Sequence, residues 1–171
     1  MWLVTERSVA LARESGQIRW LWLSAMVLML DQVSKWLAER FLSFYEPVPV
    51  IPGFNWLLAY NKGAAFSFLA TGGGWQHYLF GLLAAVVSVG LVIWMRRMAA
   101  HEKISAIGAA LIIGGAIGNL IDRVLWGHVI DFIDWYIGRY HWPTFNLADA
   151  AITVGCVLMI FDAWRSESRH E

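Results

Sequence analysis

Two aspartates, Asp131 in Val129-Ile130-Asp131-Phe132 and Asp149 in Phe145-Asn146-Leu147-Ala148-Asp149, flank the mouth of the last long apolar stretch of a chain that is 58% hydrophobic. A carboxylate near hydrocarbon is costly unless it is paired, hydrogen-bonded or hydrated, so an ionisable side chain at that depth is a functional candidate. Two acids that approach closely disfavour double ionisation: one keeps its proton and the other can deprotonate water. The activated water attacks a scissile carbonyl while the protonated member donates toward the carbonyl oxygen or the departing amine, with no covalent acyl-enzyme. The residue types and their placement point to paired-carboxylate hydrolysis at a membrane surface.

Other catalytic plans lack their residues. The sequence has no His-Glu-x-x-His for zinc, no Gly-x-Ser-x-Gly nucleophile elbow and no phosphate-binding Gly-Lys-Ser/Thr loop. Its histidines, His77, His101, His128, His141 and His170, are dispersed, so neither a metal nor another cofactor is expected. The single Cys156 cannot form a disulfide within the chain and is expected to be a small buried apolar filler. A formal net charge of zero gives no basic face for nucleic acid.

The elements that must hold the acids are hydrophobic spans. With 171 residues and 15% charged side chains, the chain reads as one polytopic membrane domain. Four stretches approach the length of about 20 residues that crosses the hydrocarbon core as helix. They run from about Ile18 to Leu37, Trp75 to Met95, Ile104 to Ile121 and Leu147 to Trp164. Residues 1–17 form a tail, and no small-residue cleavage site follows the first span, which is expected to remain. Arg7, Arg13, Arg19, Arg96, Arg97, Lys103, Arg165 and Arg169 lie on one side, against Arg40, Lys62, Arg123 and Arg139 on the other. Positive charge accumulates on the cytoplasmic side, so both termini are expected inside and both aspartates outside. Trp20, Trp36, Trp75, Trp94 and Trp164 fall near span ends, where indoles anchor at headgroups.

Between the spans, residues 39–74 mix Pro47, Pro49 and Pro52 with a partly alternating run, Phe54 to Tyr60, read as a small sheet-like element. The run enters Asn61-Lys62-Gly63-Ala64-Ala65-Phe66, which is either a plain turn or a place where Asn61 holds a peptide backbone. Residues 122–146 form the other outer segment and bear Asp131. Ala110, Gly114 and Gly118 make a stripe of small residues on the third span, suited to close helix contact or to a lipid groove. On the first span, Asp31 and Lys35 share a helical face and can offset each other's charge. Asn119, Asp122 and Arg123 form a polar face at the outer end of the third span. There, Arg123 suits three roles: an interfacial anchor, a partner for Asp122 or a donor to substrate carbonyls. Intramembrane acids also suit an ion-conducting protein, and a lipid groove suits a noncatalytic scaffold.

Five ordered blocks between Trp20 and Trp164 together resemble the lipoprotein signal peptidases, or signal peptidase II. They are Asp31-Gln32-Val33-Ser34-Lys35, Asn61-Lys62-Gly63-Ala64-Ala65-Phe66, Gly118-Asn119-Leu120-Ile121-Asp122-Arg123, Val129-Ile130-Asp131-Phe132 and Phe145-Asn146-Leu147-Ala148-Asp149. The resemblance implies a mainly helical inner-membrane aspartic endopeptidase with four transmembrane helices and a small periplasmic sheet cradling the substrate. It implies removal of the signal peptide from a prolipoprotein, on the N-terminal side of a cysteine already carrying diacylglycerol. Asp131 and Asp149 would be the catalytic dyad. Asn61, Asn119, Arg123 and Asn146 would orient substrate or dyad, and Asp31, Lys35 and Asp122 would support the polar core. A mobile segment near Asp131 would cover the site. The expected partners are that lipidated precursor and membrane lipid, with the enzyme acting as a monomer.

Overall fold

The computed structural model describes residues 16–63 and 75–167. The expected tail up to residue 15, residues 64–66 of the Asn-Lys-Gly block and the glycine-rich turn at 71–74 lie outside the described residues. A 3-10 turn, Gln17–Trp20, leads into helix α1, Leu21–Phe41. Strands β1 (Val48–Ile51) and β2 (Phe54–Asn61) follow, then helices α2 (Trp75–Arg97) and α3 (Lys103–Trp126). Strands β3 (Val129–Ile137) and β4 (Tyr140–His141) precede the last helix, α4 (Leu147–Glu167).

Among the described residues, three helical stretches are long and apolar enough to cross a membrane: Tyr78–Arg97, Lys103–Trp126 and Leu147–Ser166. Helix α1 is not one of them, because Asp31, Lys35, Glu39 and Arg40 interrupt its apolar run. Its buried residues are Ser24, Asp31, Lys35 and Ala38, spaced so that they fall on one stripe. That stripe faces α3.

Helix α3 is the centre of the bundle and packs on each of the other three helices. Its small residues make this possible. A Cβ on Gly114 would lie 2.7 Å from the Ser24 carbonyl oxygen of α1, and one on Gly108 would lie 2.8 Å from the Gly155 carbonyl oxygen of α4. Gly118 leaves room for the Asp31 carboxyl group. The Ser24 hydroxyl, which would otherwise be unpaired in an apolar setting, donates to the Ala110 carbonyl at 2.8 Å. The small-residue stripe therefore serves close backbone contact.

The third span was expected to end at about Ile121; helix α3 runs on to Trp126, so Asp122 and Arg123 stay on its polar face with Asn119. Asp122 continues the helix because its charge is met inside the bundle, and the helix stops where Gly127 takes a left-handed conformation (φ 71°) and donates to the Arg123 carbonyl. Cys156 is exposed on the outer surface of α4 rather than buried, because the inward stripe of that helix at this level is Gly155 against Gly108.

At one end of the bundle the strands form a four-stranded antiparallel sheet in the order β1-β2-β3-β4. The run from Phe54 to Tyr60 is a strand, as its alternation suggests. The segment bearing Asp131 contains β3, paired to β2 with Ala59 opposite Asp131 and Asn61 opposite Val129. Leu58, Ile130 and Phe132 bury themselves with Ala38 of α1, which fixes the sheet to the helices. This contact sets the height of Asp131 relative to the start of α4.

Candidate active site

The site is built where α1, α3, β2, β3 and the N-terminus of α4 meet. Its base is a buried ammonium. Lys35 has three N–H donors and three acceptors: Asp31 Oδ2 at 2.8 Å, Asp122 Oδ2 at 2.8 Å and Asn119 Oδ1 at 2.9 Å. Asp31 and Lys35 therefore pair along one helix face, and Asp122 pairs with Lys35 rather than with Arg123. The remaining lone pairs of the two carboxylates are used as well. Asp31 Oδ1 accepts from the Ala148 N–H at 3.0 Å, pinning the first turn of α4, and Asp122 Oδ2 accepts from the Ile130 N–H at 3.2 Å, holding β3. One charge cluster thus fixes both elements that carry Asp131 and Asp149.

Asn146 lies immediately before α4 and is fully buried. Its Oδ1 accepts from the Asp149 N–H at 2.9 Å, and Asp149 Oδ2 accepts from the Asn146 N–H at 3.4 Å. This is the reciprocal capping arrangement of a helix N-terminus, with an acid at the third helical position. The same side chain reaches the other acid, Asn146 Nδ2 donating to Asp131 Oδ1 at 2.7 Å. A single amide therefore touches both aspartates.

Asn61 Nδ2 donates to Asp131 Oδ2 at 3.1 Å, and Asn119 Nδ2 donates to Asp149 Oδ1 at 2.8 Å. The orientation of the Asn119 amide follows from its neighbours, since its oxygen takes hydrogen bonds from Lys35 and Asn146. Arg123 donates to its own helix at the Asn119 carbonyl (3.1 Å) and to the Gly63 carbonyl at the end of β2 (3.3 Å). Its guanidinium also lies 5.6 Å from the centre of the Phe80 ring on α2. These contacts join three parts of the fold, and the positive charge remains within electrostatic range of the Asp131 and Asp149 carboxyl groups.

Asp131 is buried. Burial first, and then the charge of Asp149, push its carboxyl up to about 7, against hydrogen bonds from Asn61 and Asn146 and the charge of Lys35. A carboxyl so placed holds a proton near neutrality, which is what a general acid needs. Every site residue expected from the sequence lies in this connected cluster. Sequence reading missed Gln32, whose Nε2 bridges Asp122 Oδ1 at 3.0 Å, the Gly118 carbonyl at 3.3 Å and Asp31 Oδ2 at 3.3 Å. Its position beside Asp31 in an otherwise apolar span was the available signal.

Comparison with known proteins agrees with this architecture. The family model described as Signal peptidase (SPase) II matches residues 23–165. A lipoprotein signal peptidase of Pseudomonas fluorescens is 53% identical over 159 residues, covering 91% of this chain and 93% of that protein. The lipoprotein signal peptidases of Pseudomonas aeruginosa and Acinetobacter baylyi are 52% and 47% identical, over 91% and 89% of this chain and 94% and 89% of their own lengths. A bacterial membrane enzyme solved at 2.3 Å superposes with a TM-score of 0.79 at 30% identity, covering 90% of this chain and 92% of that one. The chain belongs to the signal peptidase II family.

Proposed function

We propose that Asp131 and Asp149 are the water-activating dyad with which this peptidase removes signal peptides from prolipoproteins, cutting before a diacylglyceryl cysteine. The observation that carries the reading is Asn146, whose side chain donates to the Asp131 carboxylate and accepts from the Asp149 backbone N–H while its own backbone N–H donates to the Asp149 carboxylate. In the free enzyme Asp131 holds the shared proton and Asp149 bears the charge. Asp149 takes a proton from water as the oxygen attacks the peptide carbonyl and Asp131 protonates the carbonyl oxygen; Asp149 then passes the proton it took to the leaving nitrogen as the C–N bond breaks, while Asp131 recovers its own from the diol hydroxyl. Asn61, Asn119 and Asn146 hold the two carboxyl groups, and Arg123 orients substrate carbonyls beside them. Asp31, Lys35 and Asp122 supply the fixed base.

In this reading α1 crosses the bilayer together with the three apolar helices, its charges turned inward onto α3. Both termini are cytoplasmic, and the sheet and dyad lie at the periplasmic face of the bacterial inner membrane. The acyl chains of the substrate then stay in the bilayer, and this confinement supplies much of the positioning of the adjacent peptide bond. The enzyme works as a monomer.

The test is to incubate purified protein with lipidated and nonlipidated forms of one precursor. Cleavage of the lipidated form alone is expected, with Asp131→Asn and Asp149→Asn each reducing the rate by about 10²–10⁴ while the protein stays folded. Full activity in either variant would remove the dyad. Ion flux across reconstituted vesicles without cleavage would replace the reading altogether.

A further inference from the structure

The sheet buries a second acid that water activation does not use. Asp134 is 1% exposed on β3, three residues beyond Asp131. A buried carboxylate is tolerated only with partners that meet its charge and lone pairs. One oxygen accepts from Asn55 Nδ2 at 2.8 Å across the β2–β3 pairing, where Asn55 and Asp134 stand opposite each other. The other lies 2.8 Å from Nδ1 of His141 on β4. An ionised carboxylate only accepts, so the imidazole must donate through Nδ1–H. Its ring also stacks on Tyr136 with centroids 5.0 Å apart, and its side chain is 52% exposed.

Chain geometry gives this contact a role. One arm of the hairpin, β3, carries Asp131. The other returns from His141 to Phe145 and delivers Asn146 between the two aspartates. Phe145 rejoins β3 by donating to the Ile133 carbonyl at 3.1 Å and by accepting from the Phe132 and Ile133 amides at 3.0 and 2.9 Å. Trp142 donates to the Trp135 carbonyl at 2.7 Å, and Pro143, next in the arm, has no N–H to offer the ladder. Strand β4 itself is only two residues long. We propose that Asp134 and His141 are positioning residues: their hydrogen bond clamps the returning arm onto β3, so that Asn146 arrives in register with Asp131 and Asp149.

The activity arm of the test rests on the dyad reading, so a second arm is independent of it. Hydrogen exchange at the Ile133 and Phe145 amides is measured with kcat and KM for the parent, His141→Ala and His141→Asn, because the asparagine amide can donate from nearly the place of Nδ1. In His141→Ala those amides exchange about tenfold faster, and kcat falls about tenfold with KM within about twofold, the loss typical of a charge-assisted hydrogen bond. His141→Asn regains most of the exchange protection and of kcat. Unchanged exchange and kcat in His141→Ala overturn the proposal, as do equal losses in the alanine and asparagine variants. If the parent cleaves no lipidated precursor, the dyad reading falls and the exchange arm still decides the clamp.

Discussion

Replacing Asp131 with asparagine is expected to change how unfolding resistance depends on pH, as well as to stop catalysis. In the folded protein the Asp131 carboxyl is pushed from 3.8 up to about 7, by burial and then by Asp149. The folded state therefore binds this proton more tightly than the unfolded chain. The resulting stability is fully present below the unfolded value and is lost as pH rises through the folded one. Between pH 5 and pH 8 about two units of differential binding disappear, which at about 1.36 kcal/mol per unit is roughly 3 kcal/mol. The asparagine variant has no such proton to lose. It does set an amide N–H₂ against one of the two donors, Asn61 or Asn146, a conflict of about 1–3 kcal/mol that is the same at every pH. The gap between variant and parent should thus move by roughly 3 kcal/mol in favour of the variant from pH 5 to pH 8. For a chain of this length that is roughly 6–12 °C in melting temperature. The eleven tryptophans give a fluorescence signal for melts in detergent. Parallel pH curves for the two proteins would refute the account of Asp131 as a buried acid titrating near neutrality.

Lys35→Met leaves Asp31 and Asp122 buried without their cation and should cost about 3–5 kcal/mol, with Lys35→Met/Asp122→Asn recovering part of it in the same melts. Arg123→Ala is expected to raise KM for lipidated precursor by about tenfold, a loss of roughly 1.4 kcal/mol of binding, with a smaller effect on melting; lost stability with unchanged cleavage kinetics would make Arg123 an anchor alone. Gly114→Leu drives a side chain into the Ser24 carbonyl and Val27 of α1, so a destabilisation of about 1–3 kcal/mol or more is expected in denaturant titrations.

The site was readable from sequence where local spacing carries the chemistry. Asp31 and Lys35 stand four apart because one helical face pairs them, whereas Asn146 came only through the resemblance of its block, and its mutual capping with Asp149 is seen in the fold. Strand β3 was not readable, since Val129, Ile130, Asp131 and Phe132 are all buried and the run shows no alternation. A charged pair, Asp122-Arg123, looked like a helix end. Only the fold reveals that α1 supplies the cation for Asp122 and that the bend after β2 supplies the carbonyl for Arg123. Gln32, Asn55 and His141 have the same character: each finds its partner through tertiary contact, which no sequence window contains.

The shared ammonium also constrains the order of assembly. In the proposed membrane arrangement Lys35 is offset by Asp31 on its own helix, whereas Asp122 on α3 meets its cation only when α1 docks. Association of the first and third helices is therefore coupled to pairing that charge, and a docking shifted by one turn would separate Asp122 from Lys35. The cluster acts as a key that admits one register, and the peptidase machinery is aligned by the step that makes the bundle tolerable to lipid.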